Sequence, residues 1–197
     1  MGNPFTLTEL KNSDDFCNRT KEIATLKNLA LSANNAVILS DRRYGKSSLV
    51  KRVQNEISDK VITAYCDISA ISNIDTFCEK LSYAILNSIH KRKSLFKKAV
   101  GFFFSYKPIV QYDAVTAGYS ISLAKAGTIS GLELLSETLG ALKKTVDSSD
   151  IPVNIAFDEF QDITEIKDSA QIEATLRSVL QSIDASFFFI YSKKSIL

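Results

Sequence analysis

Residues Ala36 to Val50 read AVILSDRRYGKSSLV, and this stretch decides the fold. The apolar run Ala36-Val37-Ile38-Leu39 predicts a buried strand, and Ser40 to Tyr44 predict a polar turn. Gly45-Lys46-Ser47 then open a segment with helical apolar spacing through Leu49, Val50, Val53 and Ile57. Strand, loop, Gly-Lys-Ser and helix form the layout of a phosphate-binding loop. Gly45 lets the backbone approach phosphate oxygens, and the helix start turns free N–H groups and a positive dipole end towards the anion. Lys46 supplies a mobile cation for the outer phosphates, and the Ser47 hydroxyl can ligate magnesium. The loop departs from G-x-x-x-x-G-K-[ST] at Ser40, which stands where the first glycine is usual; Ser40 makes the turn if its φ stays negative. The plain alternative is a basic turn in an ordinary α/β domain.

A second motif turns this loop towards nucleotide chemistry. Val153-Asn154-Ile155-Ala156-Phe157-Asp158-Glu159 predicts a mainly apolar strand delivering two acids at its C-terminal end, where ligands sit in an open parallel sheet. Asp158 can hold magnesium opposite Ser47, usually through water. Glu159 reaches further and can orient or deprotonate a water for attack on a terminal phosphate. Phosphoryl transfer needs mostly positioning and charge neutralisation, so these parts come close to sufficing. No Asn-Lys-x-Asp signature for guanine occurs, which favours ATP over GTP.

Working outward, a helix is expected before the loop, with Ile23, Leu26 and Ala30 on one face, Thr20 as N-cap and Asn34-Asn35 at its end. After the loop helix, Val61 to Cys66 predicts a strand ending at Asp67. Ser72-Asn73 then caps a long helix with apolar residues at 74, 77, 81, 85 and 89. His90-Lys91-Arg92-Lys93 with Lys97-Lys98 is a basic knot, read as a solvated helix end rather than a nucleic-acid contact. Phe102 to Val110 and Tyr119 to Leu123 can pair as a hairpin insertion near 102–123. Gly131 to Val146 predicts a helix with Leu132, Leu135, Leu139, Leu142 and Val146 aligned; Ser169 to Ile183 predicts another; and Phe187 to Tyr191 predicts a last strand with Ser192 at its tip.

Composition narrows the class. The chain has 197 residues, 45% hydrophobic, enough for one packed domain. A net charge of +2 gives no support for a nucleic-acid partner. Three widely spaced cysteines (Cys17, Cys66, Cys78) and a single histidine suit core thiols in a reducing compartment better than disulfides or zinc. The start MGNPFTLTEL has no signal pattern, and no apolar run approaches a membrane span. The expectation is a cytoplasmic protein with no membrane partner.

The same residues resemble a known family. Asp41-Arg42-Arg43-Tyr44-Gly45-Lys46-Ser47-Ser48-Leu49-Val50 looks like the loop of the archaeal-type P-loop ATPases of the AAA+/STAND group, and Phe157-Asp158-Glu159-Phe160-Gln161 is similar to that family's acid motif. Phe16-Cys17-Asn18-Arg19 with Glu22 resembles its N-terminal box, with Asn18 in place of glycine. Phe189-Ile190-Tyr191-Ser192 resembles its sensor strand, with Lys193 following unusually. The resemblance spans 16–197, after an irregular 1–15. It implies a three-layer α/β/α P-loop NTPase core with a mainly parallel sheet in the order 5-1-4-3-2, of which strands 1 to 4 are counted and the fifth is missing. On that expectation the ATPase domain is incomplete at its C-terminus, and the loop strand becomes an apolar edge open to aggregation or pairing. The implied site uses Arg19, Tyr44, Gly45, Lys46, Ser47 and Ser48 for the nucleotide, Ser47 and Asp158 for the metal, and Lys46, Glu159 and Ser192 for catalysis. Neither Arg42 nor Arg43 is read as an arginine finger. The implied cofactors are ATP and Mg2+, and the implied activity is Mg-dependent ATP hydrolysis with a protein partner or self-association. The competing reading is a non-catalytic nucleotide-binding or remnant module acting through protein partners.

Overall fold

The computed structural model describes residues 19–103, 106–113, 118–125, 129 and 131–193. The stretch 1–15, Phe16, Cys17 and Asn18 lie outside the described residues. In chain order the elements are α1 (Thr20–Leu31), β1 (Ala36–Asp41), α2 (Lys46–Ile57), β2 (Ile62–Asp67), α3 (Ile74–Ile89), α4 (Lys93–Phe102), β3 (Tyr106–Asp113), β4 (Gly118–Lys125), α5 (Gly131–Asp147), β5 (Val153–Asp158), a 3-10 helix (Phe160–Glu165), α6 (Ser169–Leu180) and β6 (Ser186–Lys193).

Four strands form one parallel sheet in the order β1-β6-β5-β2. Counting these four alone, the order is 1-4-3-2, as expected for the strands present. Helices cover both faces. Alternation along each strand sends Ala36, Ile38, Tyr65, Ala156, Phe188 and Ile190 to the face carrying α1 and α2, where they meet Ile23, Leu26, Leu49, Val50 and Val53. The intervening residues, among them Ala64, Cys66, Ile155, Phe157 and Phe187, pack against α3 to α6. β5 is buried at every position, as befits a strand with neighbours on both edges and helices on both faces.

A buried polar chain pins the register. Gln54 Nε2 donates to Asn154 Oδ1 (2.8 Å) and to the Ala64 carbonyl (3.0 Å). Asn154 Nδ2 donates to Ser186 Oγ (3.1 Å), and that hydroxyl donates to the Asn34 carbonyl (2.6 Å). A one-residue slip of β5 or β6 would bury these groups without partners.

The expectations needed four corrections. The run Ala36 to Leu39 is not buried throughout: β1 pairs only with β6 among the described residues, and Val37 and Leu39 are 69% and 59% exposed. Thr20 is the first helical residue of α1 and not its cap; Arg19 holds that position and makes no side-chain cap bond. Phe102 ends a helix rather than starting a strand, because Leu95, Phe96, Ala99 and Val100 recur at helical spacing and pack on the core. The antiparallel hairpin therefore runs from Tyr106 opposite Lys125 to Asp113 opposite Gly118. Leu132 is exposed, and the buried stripe of α5 is Leu134, Leu135, Thr138, Leu139, Ala141 and Leu142. The cap on α3 stands as expected, with Asn73 Oδ1 accepting from the Thr76 amide (2.8 Å). Among the described residues no helix is long and apolar enough to cross a membrane.

Candidate active site

The loop between β1 and α2 sits at the C-terminal edge of the sheet. Its two residues with positive φ are Arg43 (+65°) and Gly45 (+70°). Ser40 is still part of β1, paired with Ser192, so the site of the usual glycine needs no glycine conformation here. The strain falls instead on Arg43, at a cost of about 1–2 kcal/mol for a side-chain-bearing residue in the left-handed region.

Lys46 opens α2 and is buried; its Nζ donates to the carbonyls of Ser40 (3.2 Å) and Asp41 (2.8 Å). The ammonium is thus held inside the curve of the loop. The first helical backbone bond runs from the Leu49 amide to the Gly45 carbonyl (2.9 Å). The amides of Lys46, Ser47 and Ser48 precede it and are the free donors of the helix start. Arg19 Nη2 donates to the Tyr44 carbonyl (2.7 Å), and Arg19 Nε lies 3.6 Å from Glu22 Oε2. The arginine therefore reaches the loop, through its backbone; the Tyr44 side chain is exposed.

Asp158 ends β5 two strands away and is almost entirely buried. Its Oδ1 accepts from the Glu159 amide (3.0 Å), and its Oδ2 accepts from the Tyr65 hydroxyl. The Ser47 hydroxyl lies close enough to the Tyr65 oxygen to favour its ionisation slightly. Burial, then the bond to Asp158, push the phenol well above its ordinary value, so it stays a donor. Lys51 Nζ lies over the Tyr65 ring, 4.6 Å from its centre. Tyr65 was not singled out in the sequence. A signal existed: it is the one large polar side chain on the α2-facing side of β2, next to the strand that carries the acids.

Glu159 takes a left-handed backbone (φ 55°, ψ 42°). Its Oε1 accepts from Ser192 Oγ (3.0 Å) and its Oε2 from Gln161 Nε2. Gln161 Oε1 accepts from the Ser192 amide (3.1 Å), which closes the ring of contacts. Ser192, expected at the tip of the last strand, lies within β6 beside Ser40 and is buried.

The donor set fits a small hard cation. Ser47 and Asp158 offer a hydroxyl and a carboxylate on either side of Tyr65, and among the described residues no cluster of three or more His, Cys, Asp or Glu could form an all-protein cage. Magnesium bound with phosphates takes such a sparse set of oxygens and keeps several waters. A cavity of about 430 Å³, lined by Phe160, Leu176, Leu180, Phe189 and Tyr191, opens on the other side of the sheet, and no loop residue lines it.

This strand order and loop define a P-loop NTPase-like fold, and a solved structure shares it. A Walker-type ATPase of Pyrococcus abyssi is similar, with a TM-score of 0.53 and 19% identity over 96% of this chain and 49% of its own. The Orc1 protein of Aeropyrum pernix, in complex with DNA, is similar with a TM-score of 0.47 and 13% identity over 89% of this chain and 39% of its own. The chain thus spans about half the length of the Pyrococcus protein. No protein-family model and no curated protein sequence matches it.

Proposed function

We propose that the chain binds Mg-ATP at the 40–48 loop and hydrolyses it, serving as a nucleotide switch for a protein partner. One observation carries this reading: Lys46, Ser47, Asp158, Glu159 and Ser192 come from three separate strand ends and meet at one edge of the sheet. The amides of α2 and the Gly45 turn cradle the phosphates, and Lys46 exchanges its two carbonyl contacts for phosphate oxygens. Arg19 and Tyr44 flank the nucleotide. Ser47 and Asp158 would hold a magnesium ion, which supplies neutralisation of the charge on the outer phosphates. Glu159 accepts a proton from water as its oxygen bonds to the γ-phosphorus and the bond to the ADP oxygen breaks. Ser192 orients that carboxylate. A cytoplasmic setting suits the buried thiols of Cys66 and Cys78; burial pushes Cys66 up to about 12 and keeps it unreactive.

The test is calorimetric titration of Mg-ATP into the purified chain and into Lys46→Ala. Binding to the wild type that is lost in the variant is the expected result, and equal silence from two folded proteins overturns the reading. A second reading, nucleotide binding without useful turnover, is favoured by one feature: both Glu159 oxygens already accept hydrogen bonds. Phosphate release no faster than that of Glu159→Gln would select it.

A further inference from the structure

Tyr65 belongs to none of the motifs above, yet its hydroxyl lies between the two groups that would hold a metal ion. It donates to Asp158 Oδ2, 93 residues away in sequence, and the Ser47 hydroxyl lies beside it. Each contact settles a different freedom. A serine hydroxyl is a rotor, and donating its proton to a fixed acceptor leaves its lone pairs facing elsewhere. A carboxylate can swing about its last torsion, and anchoring one oxygen to a phenol and the other to the Glu159 amide stops it. The phenol is itself fixed, by strand β2 below and by the Lys51 ammonium over the ring face.

We propose that Tyr65 is the positioning residue of the metal site, holding Ser47 and Asp158 in register so that both can serve one divalent cation. It touches neither nucleotide nor reacting atoms; it acts through the two residues it joins. The inference rests on the Mg-ATP reading and adds a determinant of metal affinity from a strand that contributes nothing else to the site. Partners of metal ligands in other proteins typically govern affinity by 10–100-fold.

The experiment measures nucleotide binding as a function of metal. A non-hydrolysable ATP analogue is titrated calorimetrically into wild type, Tyr65→Phe and Lys51→Met, in EDTA and over a range of Mg2+ and Mn2+ concentrations. For Tyr65→Phe, the half-saturating metal concentration rises about tenfold or more, analogue affinity in EDTA is unchanged, and turnover at saturating metal stays within about twofold. Lys51→Met, which keeps the phenol but removes the cation above it, shifts the same midpoint in the same direction by about twofold. Should Tyr65→Phe not fold, Lys51→Met still carries the test. A metal midpoint unchanged in the folded variants overturns the proposal. So does a lower one, which would make Tyr65 a competitor of the metal. If the wild type itself shows no metal-dependent gain in binding, the Mg-ATP reading falls and takes this inference with it; if only the variants fail to shift, the inference falls alone.

Discussion

Ser192 Oγ donates to Glu159 Oε1 at 3.0 Å, joining the end of β6 to the residue after β5. With the Gln161 amide group on the second oxygen, the carboxylate is held in one orientation. Ser192→Ala therefore lowers phosphate release about tenfold or more while nucleotide affinity stays within about twofold. Steady-state turnover and calorimetry on one preparation check this. An equal loss of affinity would show that Ser192 acts on binding instead.

Arg43 carries the loop's backbone strain. Arg43→Gly removes a side chain from the left-handed region, a gain of about 1–2 kcal/mol, partly offset by about 0.4–1 kcal/mol of added unfolded-chain entropy. The expected net is a stabilisation of about 0.5–1 kcal/mol, read as a raised midpoint in urea. A lowered midpoint would mean that the guanidinium contributes more than the strain costs.

Glu56 links α2 to α1. The hydrogen bond from Lys27, and then that from Arg52 (2.7 Å), hold its carboxyl below the usual carboxylate range. A lowered folded value means stability that is present above the unfolded pKa of about 4.3 and lost as pH falls through the folded one. Its side chain is one-third exposed, so Glu56→Gln costs only about 0.5–1 kcal/mol at pH 7. The two proteins converge in stability as pH falls below the folded value. Thermal melts at pH 7 and through the acid range decide this, and a gap that persists once the carboxyl is protonated refutes it.

Thr138 Oγ1 on α5 and Ser82 Oγ on α3 are buried without a hydrogen-bond partner. Thr138→Val keeps the shape and removes the unpaired hydroxyl, so it stabilises by about 1 kcal/mol. A destabilisation of that size in chemical denaturation would reveal a partner for the hydroxyl.

The strands and the loop were legible because each rests on local signals, whereas the sheet order came only from the resemblance to a family. The apolar runs of β5 and β6, the Gly-Lys-Ser turn and the acids at a strand end all depend on residues close in sequence. Helix α4 was not legible, because Phe102 and Phe103 fit a strand as well as a helix and only packing against the core separates the two. The exposure of Val37 and Leu39 depends on which strands flank β1, which an apolar run cannot report. Tyr65 escaped for a related reason: its role appears only when β2 lies beside β5, so that a phenol on one strand meets a carboxylate on the other.

The strand order also sets a timetable for synthesis. The strand leading into the 40–48 loop has one hydrogen-bonded neighbour among the described residues, and that neighbour is the last of the described strands to leave the ribosome. Asn35 and Phe187, which join the two strands at their base, are 152 residues apart. At about 5–20 residues per second, the loop emerges on the order of ten seconds before its support exists. Through that interval β1 has no partner strand among the described residues, and Asp158 and Glu159 are made only towards its end. The loop gains its neighbouring strand only once β6 has been translated, and a nascent chain stalled before β6 offers a chaperone an unpaired β1.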